Sequence, residues 1–264
     1  MTMPEVLAAG DIFPERATAR DGRLTIGGCD VSELAAEHGT PLYVYDEAAI
    51  RDRARAFTQA LAAGYPARSR VCYAAKAYSA PWLLRVMREE GLGLDVVSGG
   101  ELHAALAAGV PGGDVYFHGN NKGADELGAA LAAGVGRIVV DNLDEVALLA
   151  RLAAQRGVRQ PVLLRVAPGV DAHTHSHLRT GAADTKFGLG IATGEAAEAV
   201  RRMQAETSLE LLGLHAHVGS QLFEVDTYAE TIERLVAFAA EQRDAHGLRL
   251  RELSPRGGDG GPHT

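Results

Sequence analysis

From residue 47 onward, short β-branched apolar runs alternate with longer Ala-, Leu-, Glu- and Arg-rich stretches whose apolar positions recur every three or four residues. This pattern predicts parallel strands separated by helices, an α/β fold. Strands are expected near Arg70–Ala75, Gly93–Val97, Asp114–His118, Arg137–Asp141, Val162–Val166, Glu210–His217 and Leu248–Leu253. Helical periodicity covers Glu101–Ala108, Ala124–Ala133, Asp144–Gln155, Gly194–Ala205 and Thr227–Ala245, and Gly109, Gly134 and Gly157 supply the stop that a left-handed C-terminal cap requires. The regular repeat of strand, polar loop, helix and glycine predicts a (β/α)8 barrel of the TIM type, incomplete at about seven strands. Periodicity alone leaves an open doubly wound sheet as the alternative, but AAKAYS after the first strand is not a Gly-rich dinucleotide loop. Residues 1–46 differ: short strand-like pieces at Leu24–Ile26 and Leu42–Tyr45 flank a small helix at Val31–Glu37, which predicts a separate substructure.

Composition changes this picture little. The 264 residues are 47% hydrophobic and 23% charged, which excludes a disordered or collagen-like chain. Lys plus Arg is 26 against 34 Asp plus Glu, with no basic cluster, which argues against nucleic-acid or anionic-membrane partners. No apolar run has membrane-spanning length and the N-terminus lacks a secretory pattern, so a cytoplasmic location is expected. Cys29 and Cys72 have no metal-ligand spacing.

Candidate chemistry gathers at strand ends, where barrel active sites lie. Lys76 closes VCYAAKA; with period-2 alternation it shares a face with Cys72 and Ala74, and an amine there suits Schiff-base chemistry with a carbonyl or pyridoxal phosphate. A solvated strand-end lysine is the ordinary alternative. In LGLHAHVGSQ, alternation puts His215 and His217 on one face, and Gly219 and Ser220 follow with groups that suit a phosphate. Two satisfied core histidines and a plain turn would look the same. Gly257, Gly258 and Gly260 after the seventh strand occupy a loop commonly used for phosphate in such barrels. The long loop after the fifth strand holds His173, His175, His177, Arg179 and Lys186; its alternate-residue histidines lack the usual zinc pattern, so no metal site is expected, although Asp171 keeps one open. Asn120, Asn121 and Lys122, and Ser98 to Glu101, bring polar groups to the same face, where Glu101 equally suits a helix N-terminus.

Taken together, YAAKA (73–77), LDVVSGGEL (94–102), HGNNK (118–122), RVAPGVDAHTH (165–175), TGAADTKFG (180–188), HAHVGSQ (215–221) and LSP with its glycines (253–258) resemble, in order and spacing, the fold-type III pyridoxal-phosphate decarboxylases. The wording of HGNNK, THSHLRTG and HVGSQ is similar to the lysine-biosynthetic branch, which converts meso-diaminopimelate to L-lysine and carbon dioxide. The resemblance implies that Lys76 carries pyridoxal phosphate, that His217 lies against its ring, that Gly219, Ser220, Gly257, Gly258 and Gly260 serve its phosphate, and that Asp95 and Glu101 lie near it. It implies an amino-acid substrate, and a homodimer for the full-length family. Ornithine- or arginine-type decarboxylation, amino-acid racemisation and a non-catalytic barrel binding cofactor or a subunit are the alternatives.

The resemblance also sets the domain expectation: residues 1–46 belong to a largely missing β-domain, 47–255 form a barrel lacking its last strand, and 256–264 are an aberrant Gly-rich tail. RGGDG stands where the family reads GGGFG, and Asp259 would bring a carboxylate toward a phosphate. A truncated or frameshifted product of low or absent activity is the corresponding expectation.

Overall fold

The structure is a computed structural model and describes residues 13, 16–169, 187–219 and 226–256. These divide into two units, one holding the described residues up to 71 together with 86–92, the other holding 72–85 and the described residues from 93 on.

In the first unit, β1 (Thr18–Arg20), β2 (Arg23–Ile26) and β3 (Cys29–Asp30) form an antiparallel sheet joined by two-residue turns, the first of them Asp21–Gly22 with both residues at positive φ. Asp30 then caps α1 (Val31–His38) by accepting the Ser32 N–H at 2.7 Å, and Asp46 caps α2 (Glu47–Gly64) through the Ala49 N–H at 3.1 Å. The expected piece at Leu42–Tyr45 forms no strand among the described residues, and Tyr43 there is 87% exposed. Its alternating apolar pattern mimics a half-buried strand, but a strand needs a ladder partner, and the sheet order ends at β3.

The second unit is built on β4 (Cys72–Ala74), β5 (Gly93–Val96), β6 (Val115–Phe117), β7 (Arg137–Val140), β8 (Gln160–Ala167), β10 (Leu209–His217) and β11 (Glu252–Arg256), all parallel and ordered β11-β10-β8-β7-β6-β5-β4. The two-residue β9 (Leu189–Gly190) pairs β8 off this path. Helices α3 (Pro81–Glu89), α4 (Gly99–Ala107), α5 (Ala124–Ala133), α6 (Leu143–Gln155), α7 (Glu195–Ala205) and α8 (Asp226–His246) fall between them. Because each new strand adds to the same edge, and right-handed crossovers then all lie on one side, the order has no reversal point. A doubly wound sheet requires one. The sheet is therefore the incomplete (β/α) barrel expected from the repeat, with β4 and β11 ending the path among the described residues.

In β5, β6, β7, β8 and β10 both faces are largely buried, as parallel sheets require, while β4 and β11 at the ends of the path are half-buried. Val96, Phe117, Val140, Leu164 and Leu214 are fully enclosed. On the alternate positions Val139, Leu163 and Leu212 pack together with Tyr116 against them. The helix stops fall as expected, with Gly109, Gly134 and Gly157 at φ 80°, 63° and 65° after α4, α5 and α6.

The seventh strand is displaced from expectation, starting at Glu252 instead of Leu248. Leu248 is buried, and its N–H returns to the Gln242 carbonyl at 3.3 Å, so the first apolar position of LRLRELSP finishes the helix and does not open the strand. Pairing runs from Gly213↔Glu252 to His217↔Arg256. At Gly213 the two strands approach so closely that an added Cβ would fall on the Glu252 carbonyl, and only glycine fits. Pro255 is tolerated because β11 ends the path among the described residues. The register places Ser254 and Arg256 beside His215 and His217.

Candidate functional site

The C-terminal ends of the strands surround a cavity of about 370 Å³. Lys76, His215, His217, Arg165 and Arg256 lie on its wall, with Val97, His118, Gly119, Asn120 and Phe187 completing it. Lys76 reaches this wall by a different route from the alternation argument: β4 stops at Ala74, and Lys76 sits exposed in a 3₁₀ turn over Ala75–Ala77. The Tyr73 hydroxyl donates to the Tyr78 carbonyl at 3.1 Å and ties the two sides of that turn together.

His215 and His217 share the cavity-facing side of β10, as alternation predicted, while Leu214 and Ala216 are fully buried on the other. The His215 Nδ1 lies 3.0 Å from the Ser254 hydroxyl, and its ring meets the His118 ring edge-on with centroids 4.7 Å apart. His118 Nε2 in turn lies 3.3 Å from Asp95 Oδ1, and the second Asp95 oxygen is 2.9 Å from Arg256 Nη1. Asp95 therefore stands behind His118 and Arg256 and does not line the cavity. Arg165 is arranged alike: Nη1 is 3.1 Å from Asp141 Oδ1, the other Asp141 oxygen accepts the Gly188 N–H at 3.2 Å, and the guanidinium lies 4.8 Å from the Phe187 ring centre.

These pairings set the charge of the wall. Burial, then the positive charges of Arg165, Arg256 and Lys76, push His217 down to about 4. Burial drives His215 well below its ordinary range and lowers His118 despite the Asp95 carboxylate beside it. All three imidazoles are neutral at pH 7. Burial works against the Asp95 charge, but His118, Arg256 and Lys76 outweigh it and hold the carboxyl below its usual range. Among the described residues, Lys76, Arg165 and Arg256 thus face the cavity while the carboxylates Asp95 and Asp141 stand behind its wall. Such a site favours an anionic ligand.

Other expected residues serve the scaffold. Ser98 caps α4 by accepting the Glu101 N–H at 3.2 Å, and the Glu101 carboxylate reaches back to accept the Val97 N–H at 2.9 Å. Asn120 lines the cavity, whereas Lys122 is buried against Glu145 and the Gly119 and Val139 carbonyls. Gly219 is buried at the end of the β10 segment, where the Val218 N–H donates to the Arg256 carbonyl at 2.7 Å. Ser220, Gly257, Gly258, Gly260, and the loop with His173, His175, His177, Arg179 and Lys186 lie outside the described residues. Arg165, Arg256 and His118 are the cavity residues that sequence reasoning passed over; Arg165 and His118 are polar residues in or just after an otherwise apolar run, the signal that marks them, whereas Arg256 ends the mixed strand ELSPR and carries no such signal.

The cavity is of small-molecule size and carries an amine, a neutral imidazole and two guanidinium groups, a donor set that pyridoxal phosphate fits. Residues 47–264 match the family described as pyridoxal-dependent decarboxylase, pyridoxal binding domain, and the chain belongs to that family. It is 45% identical over 244 residues to the diaminopimelate decarboxylase of Bacillus subtilis (strain 168), covering 92% of this chain and 55% of that protein. With the diaminopimelate decarboxylase of Mycobacterium tuberculosis (strain ATCC 25618 / H37Rv) it shares 45% identity over 230 residues, 86% of this chain and 50% of the relative. The structure of diaminopimelate decarboxylase from M. jannaschii in co-complex with L-lysine superposes with a TM-score of 0.86 at 31% identity, covering 95% of this chain and 58% of that one. The chain spans about half the length of the curated relatives it matches. Among the described residues no helix is long and apolar enough to cross a membrane.

Proposed function

We propose that this chain binds pyridoxal phosphate through Lys76 and provides the cofactor-binding part of an enzyme that decarboxylates meso-diaminopimelate to L-lysine. The observation that carries the reading is the position of the Lys76 amine, on a cation-lined cavity at the strand ends of a chain whose matched domain is a pyridoxal-binding one. The substrate rests on the relatives, which carry the name diaminopimelate decarboxylase, and on a structural neighbour solved with L-lysine.

When bound, pyridoxal phosphate supplies the electron sink that amino-acid decarboxylation needs. Lys76, whose amine lines the cavity, would hold the cofactor's aldehyde and would be placed to carry a proton to the substrate. His217, kept neutral by burial and by its cationic neighbours, would offer a flat, uncharged face to the cofactor. Asp95 acts at one remove, fixing His118 and Arg256 on the wall. Gly219, Ser220, Gly257, Gly258 and Gly260 serve the phosphate, an assignment that rests on their motifs. In the whole protein, residues 1–46 contribute to a second β-domain, the assembly is a homodimer and the location is cytoplasmic.

Borohydride reduction of the purified chain with added pyridoxal phosphate, followed by peptide mass mapping, should place a single stable adduct on Lys76. An adduct distributed over surface lysines, or one retained by Lys76→Ala, would overturn the cofactor assignment. Carbon dioxide release from labelled meso-diaminopimelate and from ornithine, measured on a full-length relative's frame carrying these barrel residues, tests the substrate; turnover of ornithine alone would overturn it.

A further inference from the structure

We propose that Arg256 is an anion-binding residue of the cavity, holding a phosphate group with one edge of its guanidinium while Asp95 anchors another. The inference rests on reading this cavity as the pyridoxal phosphate site.

Arg256 is fixed twice. Its carbonyl accepts the Val218 N–H at 2.7 Å, which binds its backbone to the segment leaving β10, and its Nη1 lies 2.9 Å from Asp95 Oδ2. A guanidinium carries five N–H donors in a rigid fork, so a single anchoring contact leaves donors for a second partner. The side chain is 20% exposed and that exposure is onto the cavity, across the β10–β11 register from His217. Preorganisation of this kind lowers the ordering cost of binding.

Charge balance points to an anion in the same place. Among the described residues, Lys76, Arg165 and Arg256 line the wall, and the carboxylates paired with them, Asp95 and Asp141, are set behind it. A phosphate dianion with oxygens facing a planar fork matches this arrangement better than a neutral group does.

The test compares the wild-type 264-residue chain with Arg256→Gln and Arg256→Lys by equilibrium dialysis against pyridoxal 5′-phosphate, pyridoxal and inorganic phosphate. The two aldehydes differ only in the phosphate, so the ratio of their affinities isolates it. Loss of a charge-assisted contact should lower that ratio by about tenfold or more in Arg256→Gln and weaken inorganic phosphate in parallel, with Arg256→Lys between. Arg256→Lys keeps a cation beside Asp95, so it remains informative if the glutamine variant does not fold. An unchanged or raised ratio in either variant, with pyridoxal 5′-phosphate still bound by wild type, overturns the role of Arg256 and leaves the cofactor reading standing. Arg256-dependent binding of inorganic phosphate without any attachment of the aldehyde supports the anion role and overturns the cofactor reading.

Discussion

The ammonium of Lys122 lies 2.8 Å from Glu145 Oε1, with the two side chains only 1% and 4% exposed. The same ammonium donates to the Gly119 carbonyl at 2.6 Å and the Val139 carbonyl at 2.8 Å, and the second Glu145 oxygen accepts the Asp141 N–H at 3.1 Å. One buried pair therefore ties the loop after β6 to the end of β7 and to the start of α6, directly below the wall that carries His118 and Asn120.

Breaking that pair on one side leaves a buried charge without a partner. Burial already pushes the Glu145 carboxyl up, with Lys122 opposing it. Lys122→Met is expected to cost about 3–5 kcal/mol in urea unfolding. Lys122→Met with Glu145→Gln, which keeps an acceptor for the Asp141 N–H, should recover most of the loss. A single-variant cost below about 1 kcal/mol would show that the pair contributes little.

Gly213 offers a second, purely steric test. An alanine Cβ at this position would collide with the Glu252 backbone carbonyl, and backbone cannot swing aside as a side chain can. Gly213→Ala should destabilise by about 1–3 kcal/mol and accelerate amide exchange across residues 252–256, carrying Arg256 away from the cavity. Gly247→Ala, at φ 73° with no atom within 4 Å of its Cβ, is the control and should cost about 1 kcal/mol without loosening β11. Equal exchange in the two variants would remove the close approach as an explanation.

How far the sequence showed this arrangement depends on the range of the signal. His215 and His217 were placed by alternation inside one strand, and α5 by its own periodicity and terminal glycine, because both signals are local. Lys76 was located correctly at a strand end for a partly wrong reason, since a turn and not the pleat presents it. Arg256 and Asp95 lie 161 positions apart, and what joins them is the register of strands in a curved sheet, which no local pattern encodes. The late start of β11 has the same origin: Leu248 and Leu250 alternate with arginines as a strand would, but the helix end claims Leu248 first.

Asp141 holds two groups at once, the Arg165 guanidinium and the Gly188 N–H that precedes β9. Asp141→Asn keeps the shape and an acceptor but removes the charge. A hydrogen bond to a charged group is worth about 1.5–3 kcal/mol, so a loss of that size is expected. Because the pair is largely buried, the loss should persist as sodium chloride is raised, whereas breaking the exposed Arg201–Glu198 pair should leave no measurable change. A cost for Asp141→Asn that vanishes at high salt would mean that Arg165 is held by the surface field and not by this contact.

Acid sensitivity follows from the three neutral imidazoles. In the unfolded chain each titrates near 6.5, whereas burial lowers all three in the folded state, His217 to about 4. Below about pH 6.5 the unfolded chain binds protons that the folded chain refuses, so stability is constant above that value and falls as pH drops toward 4. Asp95 does not share this window: its lowered carboxyl contributes stability above 3.8 that is lost only in stronger acid. Glu145, raised by burial, has the opposite sign and partly offsets the imidazoles at the acid end. Thermal unfolding at fixed ionic strength should therefore show a midpoint that declines between about pH 7 and about pH 5, with a shallower slope in His217→Gln, which cannot take up the proton. A wild-type midpoint that stays flat over this range, or a His217→Gln chain with the full slope, would show that the histidines of the cavity wall are not held neutral by the fold.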